Sequence, residues 1–206
     1  MRDKMRIGIY GGSFDPIHFG HLLVAETCRE SLHLDRVIFV PANISPLKTG
    51  THPSSGKQRF ELLELAVLSN VAFEIDRREL ERGGVSFTID TLRAITDERP
   101  GDELFLLMGS DSLAEFDRWR EPTAICELAL PVVVSRAGQG LPPWHVLAPF
   151  ISESRLSQSK EHVVDMPLIE ISSSDLRRRV SQGRSIRYQV PAAVEAYIEM
   201  HRLYSP

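Results

Sequence analysis

Cysteine is nearly absent. Only Cys28 and Cys126 occur in the 206 residues, without a paired spacing, which excludes a disulfide framework and fits a reducing compartment. Long apolar runs are missing as well. None reaches the roughly 18 residues that a membrane helix requires, and the start Met1-Arg2-Asp3-Lys4 leads into the short run Ile7 to Tyr10 instead of a signal segment. The expected location is therefore the cytoplasm, with no membrane partner. Nor is there an excess of basic charge. Lys and Arg number 24 against 28 Asp and Glu, a formal charge of −4, which argues against a duplex nucleic-acid binder. Internal repeats and low-complexity tracts are also lacking. What is present, 42% hydrophobic residues, suffices for a core. The length fits one domain spanning residues 1–206, with a helical C-terminal part from about residue 172.

Short β-type runs alternate with stretches of helical period, the pattern of an α/β chain. The expected strands are Arg6–Tyr10, Arg36–Val40, Val71–Ile75, Glu103–Met108, Leu130–Ser135 and His162–Met166. The central ones are nearly all apolar, as parallel strands covered on both faces are. The expected helices are Gly20–Leu32, Lys57–Ser69, Ile89–Thr96, Ser174–Gln182 and Pro191–His201, with Leu62, Leu63, Ala66 and Val67 on one stripe. Together they predict a Rossmann-like, doubly wound parallel sheet with helices on both faces. Glycines and prolines punctuate Ala137–Ser159, which reads as a long surface excursion.

The segment Gly11-Gly12-Ser13-Phe14-Asp15-Pro16-Ile17-His18-Phe19-Gly20-His21 joins the first strand to the first helix. Free backbone amides at such a junction hold anions, and glycines let a ligand approach the backbone. Histidines three apart share a helix face, from which both rings can donate to phosphate oxygens. A zinc pair lacks further ligands at matching spacing, and the Gly-x-Gly-x-x-Gly dinucleotide fingerprint is absent. Taken alone, the segment also fits a glycine turn with two surface histidines. A second junction, Ile171-Ser172-Ser173-Ser174-Asp175-Leu176-Arg177, follows an apolar run and opens a helix. Its hydroxyls can cap the helix or donate to phosphate, and Arg177 offers a planar fork of donors one turn in.

The first segment resembles the His-x-Gly-His signature of the nucleotidylyltransferase superfamily. The second resembles its Ile-Ser-Ser-Thr-x-Ile-Arg motif, with Ser174 for Thr and Leu176 for Ile. The middle of the chain is similar to bacterial nicotinate-nucleotide adenylyltransferases. Pro46-Leu47-Lys48 keeps the lysine of their Pro-Pro-His-Lys segment without its histidine. Ser86-Phe87-Thr88-Ile89-Asp90-Thr91-Leu92 matches Ser-Tyr-Thr-x-Asp-Thr-Leu, and Gly109-Ser110-Asp111, Trp119 and Ser135-Arg136 follow in order.

This resemblance implies the His-x-Gly-His nucleotidylyltransferase fold and adenylyl transfer from ATP, with Mg2+, to nicotinate mononucleotide. It implies catalytic roles for His18, His21, Lys48 and Arg177. ATP contacts are implied for Gly11, Gly12, Ser13, Phe14, His18, His21, Gly109, Asp111, Ile171, Ser173, Ser174 and Arg177. Mononucleotide contacts are implied for Ser13, Asp15, Lys48, Phe87, Thr88, Trp119 and Arg136. Phosphopantetheine adenylyltransferases share the two end motifs, and a silent nucleotide-binding regulator on the same fold is the alternative of a different class.

Overall fold

The computed structural model describes residues 4–46, 54–136, 141–167 and 169–205. Six strands are present: β1 (Arg6–Gly12), β2 (Arg36–Pro41), β3 (Phe73–Ile75), β4 (Glu103–Gly109), β5 (Ala129–Arg136) and β6 (Val164–Met166). They form one sheet in the order β3-β2-β1-β4-β5-β6. Strand β1 pairs parallel with β4 from Arg6↔Glu103 to Ile9↔Leu106, β4 with β5, and β5 with β6. The order turns at β1, from which the chain first moves outward to β2 and β3 and then resumes on the other side at β4. In open parallel sheets, ligands bind beyond the carboxyl ends of strands at such a turning point. Strand β1 ends at Gly12 and β4 at Gly109.

The expected helices are all present, as α1 (Phe19–Ser31), α2 (Gly56–Val67), α4 (Thr88–Glu98), α9 (Ser173–Ser181) and α10 (Ala192–Met200). Five further helices are α3 (Arg78–Arg82), α5 (Ser110–Ala114), α6 (Pro122–Leu128), α7 (Trp144–Leu147) and α8 (Glu153–Glu161), with short 3-10 turns at Phe116–Arg118 and Ala148–Phe150. The Ala137–Ser159 excursion is thus corrected. Most of its described part is helical, Leu147 and Ser159 are fully buried, and Ser152 caps α8 by accepting from the Arg155 amide. The expected strand His162–Met166 is shortened because His162 closes α8, its amide bonding the Gln158 carbonyl at 3.0 Å.

The chain falls into two compact units. The first comprises Met1–Gly11, Val24–Ile38 and Phe87–Leu168, the second Gly12–Leu23, Phe39–Ser86 and Ile169–Pro206. The first unit's core is built from Ile7, Ile9, Phe105, Val132, Leu92 and Ile95, all essentially inaccessible. In the second, Phe14, Phe39, Leu62, Leu63, Val194 and Ile198 are buried, and α10 packs on α2. Among the described residues, no helix is long and apolar enough to cross a membrane.

Helix α2 starts with a capping box. The Ser55 hydroxyl accepts from the Gln58 amide at 3.2 Å, and the Gln58 side chain accepts from the Ser55 amide at 2.9 Å. The serine satisfies an amide that the helix cannot. Ser55→Ala is expected to lower unfolding free energy by about 1 kcal/mol and Ser55→Gly by clearly less, read as a lower urea midpoint at unchanged slope. Equal midpoints for Ser55→Ala and the wild type would mean that the cap contributes nothing.

Candidate active site

Apart from Gly11, both end motifs lie in the second unit. The loop that leaves β1 turns sharply at Phe14, a non-glycine residue with φ of +48°. Gly12 makes room for this turn, since a Cβ there would stand 2.9 Å from the Phe14 ring. That ring is buried, with its centroid 5.2 Å from His21 in a T-shaped contact and 5.7 Å from Phe39. The side chain supports His21 from the core, so a contact of Phe14 with ATP would run through its backbone. The Asp15 side chain is 0% exposed and accepts from the Tyr204 hydroxyl at 2.6 Å. A motif gives residue order, whereas the φ of Phe14 decides which side chains turn inward.

His18 and His21 stack, with ring centroids 3.7 Å apart and planes at 27°. The His18 amide donates to His21 Nδ1 at 3.3 Å. The neutral His21 ring therefore carries its proton on Nε2, where it can donate to a ligand. Gly20 is what allows this arrangement. A Cβ at residue 20 would lie 3.0 Å from both Cε1 and Nδ1 of His18.

Helix α9 contributes to the same loop within the unit. Ser172 is its N-cap and accepts from the Asp175 amide at 3.2 Å. The Ser173 hydroxyl donates to the Pro16 carbonyl at 2.9 Å. Arg177 donates from one terminal nitrogen to the Asp15 carbonyl at 2.7 Å and from the other to the Ser174 hydroxyl at 3.2 Å. Its five N–H donors exceed those two bonds, and Ser174 is exposed, so both retain capacity for an anion. Ile171 sits just ahead, half-buried, with its carbonyl 3.8 Å from the position a Gly20 Cβ would take.

Three residues of this region escaped the sequence reading. Arg59, 1% exposed, donates to the carbonyls of Ser13 at 2.8 Å and Ala42 at 2.7 Å. Burial pulls its guanidinium below the usual arginine range, while the Asp15 carboxylate and Tyr204 oppose that pull. Ser54 donates to the Tyr204 oxygen at 2.8 Å. The signal for Arg59 was available: it falls on the apolar stripe of α2, three and four residues before Leu62 and Leu63. Ser54 and Tyr204 carry no local signal.

The first unit holds the remaining candidates, apart from Lys48, which lies outside the described residues. Gly11 is exposed, with nothing within 4 Å of a would-be Cβ, and Gly109 is equally open. Asp111 is exposed in the first turn of α5. Phe87 is the N-cap of α4 and offers no side-chain cap, which leaves first-turn amides for other acceptors. The Arg120 guanidinium lies 4.9 Å from the Phe87 ring centroid and 3.5 Å from Asp90. Trp119 is half-buried and tilted against Phe116 at 5.2 Å, and its indole N–H meets no partner among the described residues. Arg136 ends β5, paired in register with Met166. Both cysteines are free and buried, and burial pushes each thiol up to about 12, which removes a thiolate nucleophile at neutral pH.

Donor groups gathered on one strand-to-helix loop, with a stacked histidine pair and a second helix start tied to it, are those of an α/β protein with a site suited to an anion. The sequence matches the Cytidylyltransferase-like family over residues 9–179. A Roseiflexus protein described as "probable nicotinate-nucleotide adenylyltransferase" is 46% identical, covering 96% of this chain and 97% of its own. A Thermus thermophilus protein of the same description is 44% identical over 97% of this chain and 100% of its own. The chain belongs to the cytidylyltransferase-like family and, within it, to the nicotinate-nucleotide adenylyltransferases. The fold is shared with Plasmodium falciparum nicotinic acid mononucleotide adenylyltransferase complexed with NaAD, at a TM-score of 0.72, 17% identity and 97% coverage of each chain.

Gly20→Ala separates stability from function. Alanine in a helix is favoured over glycine by up to about 1 kcal/mol, and displacing the buried His18 ring opposes this gain, so the unfolding midpoint is expected to change little. Turnover is expected to drop about tenfold or more, because the buried His18 ring must shift for the new methyl group. Full activity in this variant would show that the position of the His18 ring is not critical.

Proposed function

We propose that the protein transfers the adenylyl group of ATP to nicotinate mononucleotide, giving deamido-NAD and pyrophosphate. The observation that carries this reading is the stacked His18–His21 pair held on the loop that also receives Ser173 and Arg177. A phosphate oxygen of the mononucleotide attacks the α-phosphorus. The bond from that phosphorus to the bridging oxygen breaks, and its electron pair leaves with pyrophosphate. His18 and His21 donate to the α-phosphate as charge builds on it. Ser173, through its helix-start amide, works with Ser174 and Arg177 on the leaving β and γ phosphates, and Lys48 adds a point charge. No side chain needs to act as base or nucleophile, and the rate comes from alignment and charge stabilisation.

Gly11, Gly12, Ser13, Gly109, Asp111 and Ile171 are assigned to the nucleotide, and the small or exposed character of all but Ile171 supports this. Phe87, Thr88, Trp119 and Arg136 are assigned to the mononucleotide, with Ser13 shared. Uncapped amides at the start of α4 favour a carboxylate over a carboxamide. Among the described residues no three His, Cys, Asp or Glu side chains gather as a metal cage. We assign Mg2+ to ATP itself, held by phosphate oxygens and water, where it would neutralise charge. We place the protein in the cytoplasm, which the two free, buried thiols support.

The decisive measurement incubates purified protein with ATP, Mg2+ and either nicotinate or nicotinamide mononucleotide. Deamido-NAD and pyrophosphate are expected, with kcat/KM higher for the acid by about tenfold or more. No dinucleotide product from either substrate would refute the assignment, and equal specificity constants would remove the carboxylate argument. Thr88 is the first residue of α4 and follows an extended Phe87, so Thr88→Pro removes an amide without breaking the helix. This change is expected to shrink the acid preference by about 1 kcal/mol, roughly fivefold, while ATP saturation stays unchanged.

A further inference from the structure

The last turn of the chain reaches the buried side of the phosphate loop. Helix α10 is fixed on α2 in the second unit, where the Tyr197 hydroxyl donates to Glu61. The helix then reverses at Arg202, whose φ is +49°, and the Leu203 amide returns to the Ile198 carbonyl at 3.0 Å. This is the left-handed C-terminal closure of a helix. With Leu203 buried and Tyr204 also left-handed at +62°, the phenol is directed inward. Its hydroxyl donates to Asp15 Oδ1 at 2.6 Å and accepts from Ser54 at 2.8 Å.

Asp15 is a junction in this network. Its carboxylate takes the Tyr204 hydroxyl, its carbonyl takes Arg177 at 2.7 Å, and three residues further the chain presents His18. We propose that Tyr204 is a positioning residue for adenylyl transfer, acting through Asp15 to aim Arg177 and to fix the loop that carries His18. This inference rests on the adenylyl-transfer reading. Burial and the neighbouring carboxylate hold the phenol above its ordinary range, so the hydroxyl remains a donor at neutral pH. Removing it takes the 2.6 Å donor from a buried carboxylate and changes how that carboxylate is held. The Asp15 carbonyl moves with it, and Arg177 loses its bearing on the leaving phosphates.

The test is steady-state kinetics of the full chain with ATP, Mg2+ and nicotinate mononucleotide, for Tyr204→Phe, Asp15→Asn and the double variant. Tyr204→Phe is expected to lower kcat about tenfold and raise the KM for ATP about fivefold, with the mononucleotide KM within about twofold. On the Asp15→Asn background, the same change is expected to have an effect of less than about twofold, because the partner it acts through is already altered. Ser54→Ala, a milder change to the same contact, is expected to follow in the same direction by about threefold. Two outcomes overturn the proposal. One is an unchanged KM for ATP with turnover that merely follows the folded fraction in thermal unfolding. The other is full multiplicativity in the double variant. Active wild type with an unaffected Tyr204→Phe sinks only this proposal, whereas inactive wild type sinks the adenylyl-transfer reading beneath it.

Discussion

A loop between a strand and a helix leaves carbonyl groups that no ladder satisfies, and this chain meets that constraint with side chains from distant segments. Three of the carbonyls from Ser13 to Pro16 are taken in this way: Ser13 by Arg59, Asp15 by Arg177 and Pro16 by Ser173. Buried carbonyls left unbonded are disfavoured by about 1–3 kcal/mol each, so the three donors are requirements of the fold before they are anything else. The arrangement also explains why the two sequence motifs belong together. The serine and arginine of α9 complete the loop that leads into the histidine pair.

The position of Arg59 follows from the same constraint. A guanidinium at 1% exposure is unfavourable unless its donors are used, and on α2 it spans two backbone segments, one at Ser13 and one at Ala42. The Ala42 amide in turn donates to the Gly12 carbonyl at 2.9 Å. A single charged side chain thus fixes the backbone on which Gly12 and the Phe14 turn are built. The nearby Asp15 carboxylate supplies the compensating charge.

The sheet was legible in the sequence because its strands are short apolar runs, and all six were found with ends shifted by a residue or two. Helices with a clear stripe, such as α2, were found for the same reason. Helix α8, with the sequence ESRLSQSKE, was not, because it carries too few apolar residues to show a period, and α3 and α5 have only five residues each. For the site, contiguity decided what could be read. His18, His21, Ser173, Ser174 and Arg177 sit in local patterns, whereas Tyr204 meets Asp15 across 189 positions. The burial of the Phe14 and Asp15 side chains was not legible, because spacing says nothing about which way a side chain points once the backbone turns through a left-handed residue.

The two cysteines have a practical consequence. Both are buried, unpaired and raised to about 12, so alkylating reagents at neutral pH find almost no thiolate on the folded chain. A single cysteine introduced at an exposed position such as Ser174 or Asp111 would be the one readily labelled thiol. The native chain can therefore carry a fluorophore or spin label beside either motif without first being stripped of its own sulfhydryls.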